Sequence, residues 1–147
     1  EQMEWFKRTV KASNATFKLL ISPTPIIGPD RYQKKDNHFN KGFYYEGEQI
    51  RKFIASQSNM YVICGDRHWQ YVSKHPKYGI VEFSIGPNSN EHAGGWKQED
   101  VRPEHLYLNV TGGTMTVTID PDEGGSISVK HYSVDGLQLN EFKSKVK

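Results

Sequence analysis

Apolar positions along the chain follow two different periods, and the change between them divides the sequence near its middle. Met3, Phe6 and Val10 recur at helical spacing with Trp5 beside them, which predicts an amphipathic helix over residues 1–13 with Lys7, Arg8 and Lys11 towards water. Residues 17–21 (Phe-Lys-Leu-Leu-Ile) form a short apolar run suited to a buried strand. It stops at Ser22-Pro23-Thr24-Pro25, because proline has no N–H for a ladder. No period is convincing across residues 26–45, and a loop this long in a compact domain is usually functional or mobile. Ile50, Phe53, Ile54 and Gln57 share a face of a second helix over residues 47–57, with Glu46 and Glu48 favourable at its positive end. Met60-Tyr61-Val62-Ile63-Cys64 is the clearest buried strand, and it ends abruptly at Gly65.

Beyond His68 the pattern becomes strand-like. Residues 69–73 and 79–85 read as strands, and residues 86–103 as a second long loop. Residues 105–110, 114–120, 126–134 and 137–142 are further strand candidates, separated by Gly112-Gly113, by residues 122–125 and by Asp135-Gly136. Helix, strand, loop, helix, strand implies neighbouring parallel strands with helical cover, and the C-terminal third reads as an antiparallel meander. The expectation is therefore an α/β fold, a mixed sheet followed by an antiparallel meander, in one domain over residues 1–147.

Composition sharpens this picture. Leu, Ile, Val and Phe number 33 of 147 residues, just above the range where disorder becomes the better expectation, so the core should be light. Val and Ile number 20 against 6 Leu and 4 Ala, which favours strands. No apolar run is long enough for a membrane helix, and a net charge of +2 gives no large field for nucleic acid or acidic lipid. The single cysteine, Cys64, excludes an internal disulfide and a cysteine-based zinc site; inside an apolar strand it reads as an inert thiol.

The chemistry concentrates in Gly65-Asp66-Arg67-His68. An acid and an imidazole two positions apart, just past a buried strand, stand where α/β sheets place ligands and catalysts. Gly65 permits a sharp turn on which Asp66 and His68 could converge, and an oxygen with a nitrogen donor suits a divalent or ferric ion. Two donors are too few to hold one. A turn whose Asp caps local amides and whose His is merely exposed explains the same spacing.

The motif also has company. Gly65-Asp-Arg-His-Trp-Gln-Tyr71, Ser22-Pro-Thr-Pro-Ile-Ile-Gly-Pro-Asp-Arg31 and Asp36-Asn-His-Phe-Asn40 occur together with Gln2-Met-Glu-Trp-Phe6, Glu82-Phe-Ser-Ile-Gly-Pro87 and Glu91-His-Ala93. In this order they resemble the alkaline phosphatase D-like (PhoD-like) metallophosphoesterases over residues 2–140. The resemblance implies the C-terminal half of an α/β/β/α sandwich and a two-metal hydrolase of phosphomonoesters or phosphodiesters. Its divalent or ferric ions would polarise the phosphoryl oxygens and supply metal-bound hydroxide. His68 matches a metal ligand of the family; Asp66 matches either a ligand or a group that orients the histidine. Arg31 and His38 in the first loop, and His92 in the second, become candidate substrate contacts, the guanidinium being suited to phosphoryl oxygens.

The resemblance also implies what is lacking. The family's earlier metal motifs have no counterpart, since Asp36-Asn37-His38 follows Lys34-Lys35 in a loop rather than a buried strand, and Ser22-Pro23-Thr24-Pro25 offers no imidazole. A fragment of a larger catalytic domain is expected, weakly active or inactive alone, its uncovered sheet surface favouring homo-oligomers. Export is suggested by resemblance alone. Two readings compete with this one: a sheet-rich carbohydrate- or peptide-binding module using Trp69, Tyr71 and Trp96, and a structural or interaction domain with no chemistry.

Overall fold

A computed structural model of the chain describes residues 1–122 and 125–147. In chain order the elements are α1 (Gln2–Ala12), β1 (Lys18–Ser22), α2 (Tyr44–Ala55), β2 (Met60–Cys64), β3 (Gln70–Lys74), β4 (Val81–Ser84), a 3₁₀ turn (Asn90–His92), β5 (His105–Asn109), β6 (Gly113–Asp120), β7 (Ser126–Ser133) and β8 (Gln138–Lys145). The expected punctuation at residues 122–125 includes 123 and 124, which lie outside the described residues. Among the described residues no helix is long and apolar enough to cross a membrane.

A five-stranded mixed sheet, ordered β1-β2-β4-β3-β5, carries the first half of the chain, and β6-β7-β8 form a second, antiparallel sheet. β1, β2 and β4 run parallel, Leu20 opposite Val62 and Ile63 opposite Phe83. Alternation along β2 shows how the layers are built. Tyr61 and Ile63 point to the side where Phe17, Phe83, Ile127 and Val129 join the two sheets. Met60 and Val62 point to the other side, against Ile26, Ile27, Ile54 and Ile80, with Phe6 and Val10 of α1 and Ile50 of α2 covering them. Helices, mixed sheet and antiparallel sheet thus make three layers, the expected α/β fold of a mixed sheet followed by an antiparallel meander.

Three expectations are corrected. The run expected as a buried strand over residues 17–21 is instead an edge strand: among the described residues β1 pairs with β2 alone, and Ile21 is 76% exposed. Residues 105–109 leave the C-terminal meander and pair antiparallel with β3, so the meander begins at Gly113. The second helix begins at Tyr44, three residues early, because the helical turn closes with Gly47 N–H on Phe43 O at 2.9 Å. Gly47 is required there: a Cβ would meet His38 O at 2.0 Å, since α2 lies directly against the preceding loop.

His131 of β7 is wedged between the sheets. It is 0% exposed; its Nε2–H donates to Ser84 O at 3.0 Å, and its ring lies 5.2 Å from that of Tyr107. Burial pushes its pKa down from 6.5 to about 4. Between these values the unfolded chain binds the proton and the native chain does not, so stability falls as pH drops from 6.5 towards 4. The loss from this one group reaches about 3 kcal/mol and is absent above neutrality. Urea unfolding at neutral pH and at acid pH should show it, and His131→Phe should flatten that part of the profile.

Candidate functional site

The parallel strands β1, β2 and β4 end at Ser22, Cys64 and Ser84, and their C-terminal ends lie side by side. The loop before α2, the 65–68 turn and the loop before β5 therefore all leave from one end of the sheet, the end at which open α/β sheets hold ligands.

The turn is tighter than its glycine suggests. Arg67 N–H donates to Gly65 O at 2.8 Å, and the left-handed residue is Asp66, with φ 64°, not Gly65. Aspartate is among the few side chains that tolerate this region, and a three-residue turn of this kind is strained. The conformation turns Asp66 and His68 to solvent and Arg67 inwards.

Arg67 is what holds the turn. Its guanidinium is almost fully buried, donates from Nη1 to Asp30 Oδ2 at 2.9 Å and from Nη2 to Asp66 Oδ2, and lies 5.7 Å over the Trp69 ring. Asp30, whose side chain is 0% exposed, also accepts from Asn37 Nδ2 at 2.6 Å. Asn37 Oδ1 in turn accepts the amides of Phe39 and Asn40 at 3.0 and 3.2 Å. One buried ion pair therefore couples the first loop to the turn that carries Asp66 and His68.

The same loop is fixed to the sheet at a second point. Glu82 of β4, 0% exposed, accepts the amides of Ile26, Ile27 and Gly28 at 2.7, 3.0 and 3.0 Å and the Tyr71 hydroxyl at 2.8 Å. Gly28, with φ 74°, allows the chain to curl around the carboxylate. Burial raises the Glu82 pKa, against the pull of the amides of Ile27, Ile26 and Gly28 and of the Tyr71 hydroxyl. Because the Tyr71 hydroxyl proton goes to Glu82, the Cys64 thiol donates to Tyr71 Oη at 3.2 Å. Burial pushes both Cys64 and Tyr71 well above their ordinary values, so the thiol is inert as expected. Arg51 of α2 adds a third clamp, donating from Nη1 to Ile26 O at 2.7 Å and to His38 O at 2.9 Å.

The other sequence candidates fall in different places. Arg31, half exposed, lines a cleft between the two long loops; its Nε is 3.8 Å from Asp30 Oδ1. His38 lies instead on a groove between α1, β1 and the segment before α2, its Nε2 3.3 Å from Glu46 Oε2, so Arg31 and His38 do not line one cavity. His92 is exposed in the 3₁₀ turn, with Nδ1 3.4 Å from Ser89 Oγ. Two residues on, Gly94 N–H donates to His68 O at 2.9 Å and brings this loop against the turn. Trp69 and Tyr71 are core residues, 2% and 0% exposed, which removes the aromatic surface needed by the carbohydrate- or peptide-binding reading. Trp96 is stacked on Trp69 at 5.4 Å. Asp66 and His68 are present as donors, but among the described residues no three His, Cys, Asp or Glu side chains are grouped to hold an ion.

This is a three-layer α/β unit with its loops gathered at the carboxyl ends of parallel strands, the edge at which such sheets in general hold ligands. The description PhoD-like phosphatase fits residues 1–124 as a family match, and the chain belongs to that family. A solved structure titled "Structure of PhoD" superposes with a TM-score of 0.68 over 98% of this chain at 15% sequence identity; the chain spans 31% of that protein's length. No curated protein matches the sequence.

Proposed function

We propose that this chain supplies part of the active site of a phosphoester hydrolase, with Asp66 and His68 as two ligands of a divalent or ferric ion and Arg31 as a contact for the substrate. The observation that carries this reading is the strained 65–68 turn, at the carboxyl end of the central parallel strand, whose buried Arg67 is spent on anchoring while its two potential ligands stand in solvent. A turn that only had to reverse the chain has no need of a strained aspartate. His68 offers an imidazole nitrogen and Asp66 the carboxylate oxygen that Arg67 leaves unbound, a mixed donor set suited to such ions. The metal, when bound, would polarise the phosphoryl group and activate water. Arg67 fixes the Asp66 carboxylate, and Asp30 fixes Arg67.

Because two donors are half of a site, the chain alone should bind Mn²⁺ in the millimolar range and show no substantial hydrolysis of bis(4-nitrophenyl) phosphate. Paramagnetic broadening of NMR signals should centre on residues 65–68 and disappear in the Asp66→Asn/His68→Ala variant. Broadening that ignores the turn, or persists undiminished in the variant, would overturn the assignment.

A further inference from the structure

We propose that the cleft between the two long loops binds a flat ring that carries a negative charge, with Tyr32 and Phe39 forming the wall for the ring and Arg31 and Lys97 the contacts for the charge. On the phosphoesterase reading, from which this last step follows, the ring is the leaving group of the ester.

The cleft measures about 800 Å³, within the range of small-molecule sites. Residues 29–32 and Phe39 line one side, and residues 95–97, 100 and 102–104 the other. Both sides are attached to the turn that carries Asp66 and His68. Asp30 holds Arg67 at 2.9 Å on one, while Gly94 N–H holds His68 O at 2.9 Å and Trp96 stacks on Trp69 on the other. The two walls are thereby tied to the turn that carries the candidate metal ligands, although Asp66 and His68 do not themselves line the cleft.

The charges lining it cancel by number but not by availability. Asp30 is bound by Arg67 and Asn37. Asp100 is bound by Arg102 through two hydrogen bonds of 2.5 and 2.8 Å, and that pair holds its carboxyl below the ordinary range. Glu104 has no side-chain hydrogen bond or ion pair among the described residues and acts on Arg102 only at longer range. Among the described residues Arg31, 53% exposed, has only its 3.8 Å approach to Asp30, and the exposed Lys97 ammonium makes no hydrogen bond or ion pair and acts on Asp100 only at longer range. Two cations against one carboxylate therefore remain, and the surplus positive charge favours an incoming anion.

The aromatic residues divide in the same way. Trp96 already packs on Trp69, has Arg102 5.7 Å from its ring and donates Nε1–H to Asp100 O. Tyr32 is 49% exposed and meets Tyr44 edge-on at 6.0 Å, and Phe39 is seated against Gly28. An aromatic surface next to uncommitted cations selects a planar anion over a small inorganic one or an uncharged ring.

The test titrates this chain, in the presence of a chelator, with 4-hydroxybenzoate, phenol and acetate as probes, following amide NMR shifts. 4-Hydroxybenzoate should give saturable shifts at Arg31, Tyr32 and Lys97 and bind about tenfold more tightly than phenol or acetate. Arg31→Gln/Lys97→Gln should remove about that tenfold advantage, and Tyr32→Ala should weaken the aromatic probe alone. Phenol or acetate binding as well as 4-hydroxybenzoate, shifts confined to other residues, or indifference to the double substitution would overturn the proposal. Since no metal takes part, failure of the Mn²⁺ titration with success here would remove the leaving-group role and leave the binding site standing.

Discussion

Arg67→Met should destabilise the chain by about 3–5 kcal/mol, the usual consequence of removing one partner of a buried ion pair. The substitution keeps most of the hydrophobic bulk over Trp69 but leaves the Asp30 carboxylate, wholly inaccessible to water, with only the Asn37 amide in hydrogen-bond reach and Arg31 Nε at 3.8 Å. Asp66 loses its guanidinium at the same time, and a carboxylate held at φ 64° then has one fewer reason to stay there. Urea denaturation measures the loss. The companion variant Asp30→Asn/Arg67→Met decides its origin: with no stranded charge it should recover about 2 kcal/mol relative to Arg67→Met. A double variant as unstable as the single would mean that packing, not charge, sets the role of Arg67. If the pair positions the turn, Arg67→Met should also weaken Mn²⁺ binding at residues 65–68 under conditions where the variant remains folded.

What the sequence discloses and what it hides follow a physical division. β2 is legible because five consecutive buried residues, bounded by Asn59 and Gly65, admit little else, and its parallel pairing with β1 follows from the helix between them. The place of Asp66 and His68 is legible for the same reason, since a strand end fixes which loop meets the sheet edge. Partner choice among strands is not local: nothing in His105-Leu106-Tyr107-Leu108-Asn109 distinguishes pairing with β3 from pairing with β6. The exposure of Ile21 likewise depends on which strand lies at the edge. Least legible are the anchors. Asp30 and Arg67 are 37 residues apart, both in loops, where charge has no period and the bland expectation is a solvated side chain. Two signals were available. Glu82 interrupts the apolar run of β4, and Arg51 falls on the inner face of α2 within a turn of Ile54; a charge in either place requires a buried partner.

Glu82→Leu tests the second anchor and should have an effect of comparable size. The shorter hydrocarbon side chain leaves the amides of Ile26, Ile27 and Gly28 and the Tyr71 hydroxyl without an acceptor in a region from which water is excluded, a loss of at least about 3 kcal/mol. Glu82→Gln retains one acceptor oxygen and can turn its amide towards Tyr71, so its loss should be about 1–3 kcal/mol and fall between wild type and Glu82→Leu. The raised pKa of Glu82 means that its own contribution is full below about pH 4.5 and is lost as pH rises through its native value, opposite in slope to that of His131. Hydrogen exchange locates the damage. In Glu82→Leu the amides of residues 26–28 should exchange more than about tenfold faster than the global loss of stability explains, while those of β2 follow the global loss alone. Such local release would carry Asp30 and Arg31 away from the turn, and the cleft would lose its charged probe together with its shape. Uniform acceleration across β2 and residues 26–28 alike would instead make Glu82 a general support of the core, with no separate hold on the loop.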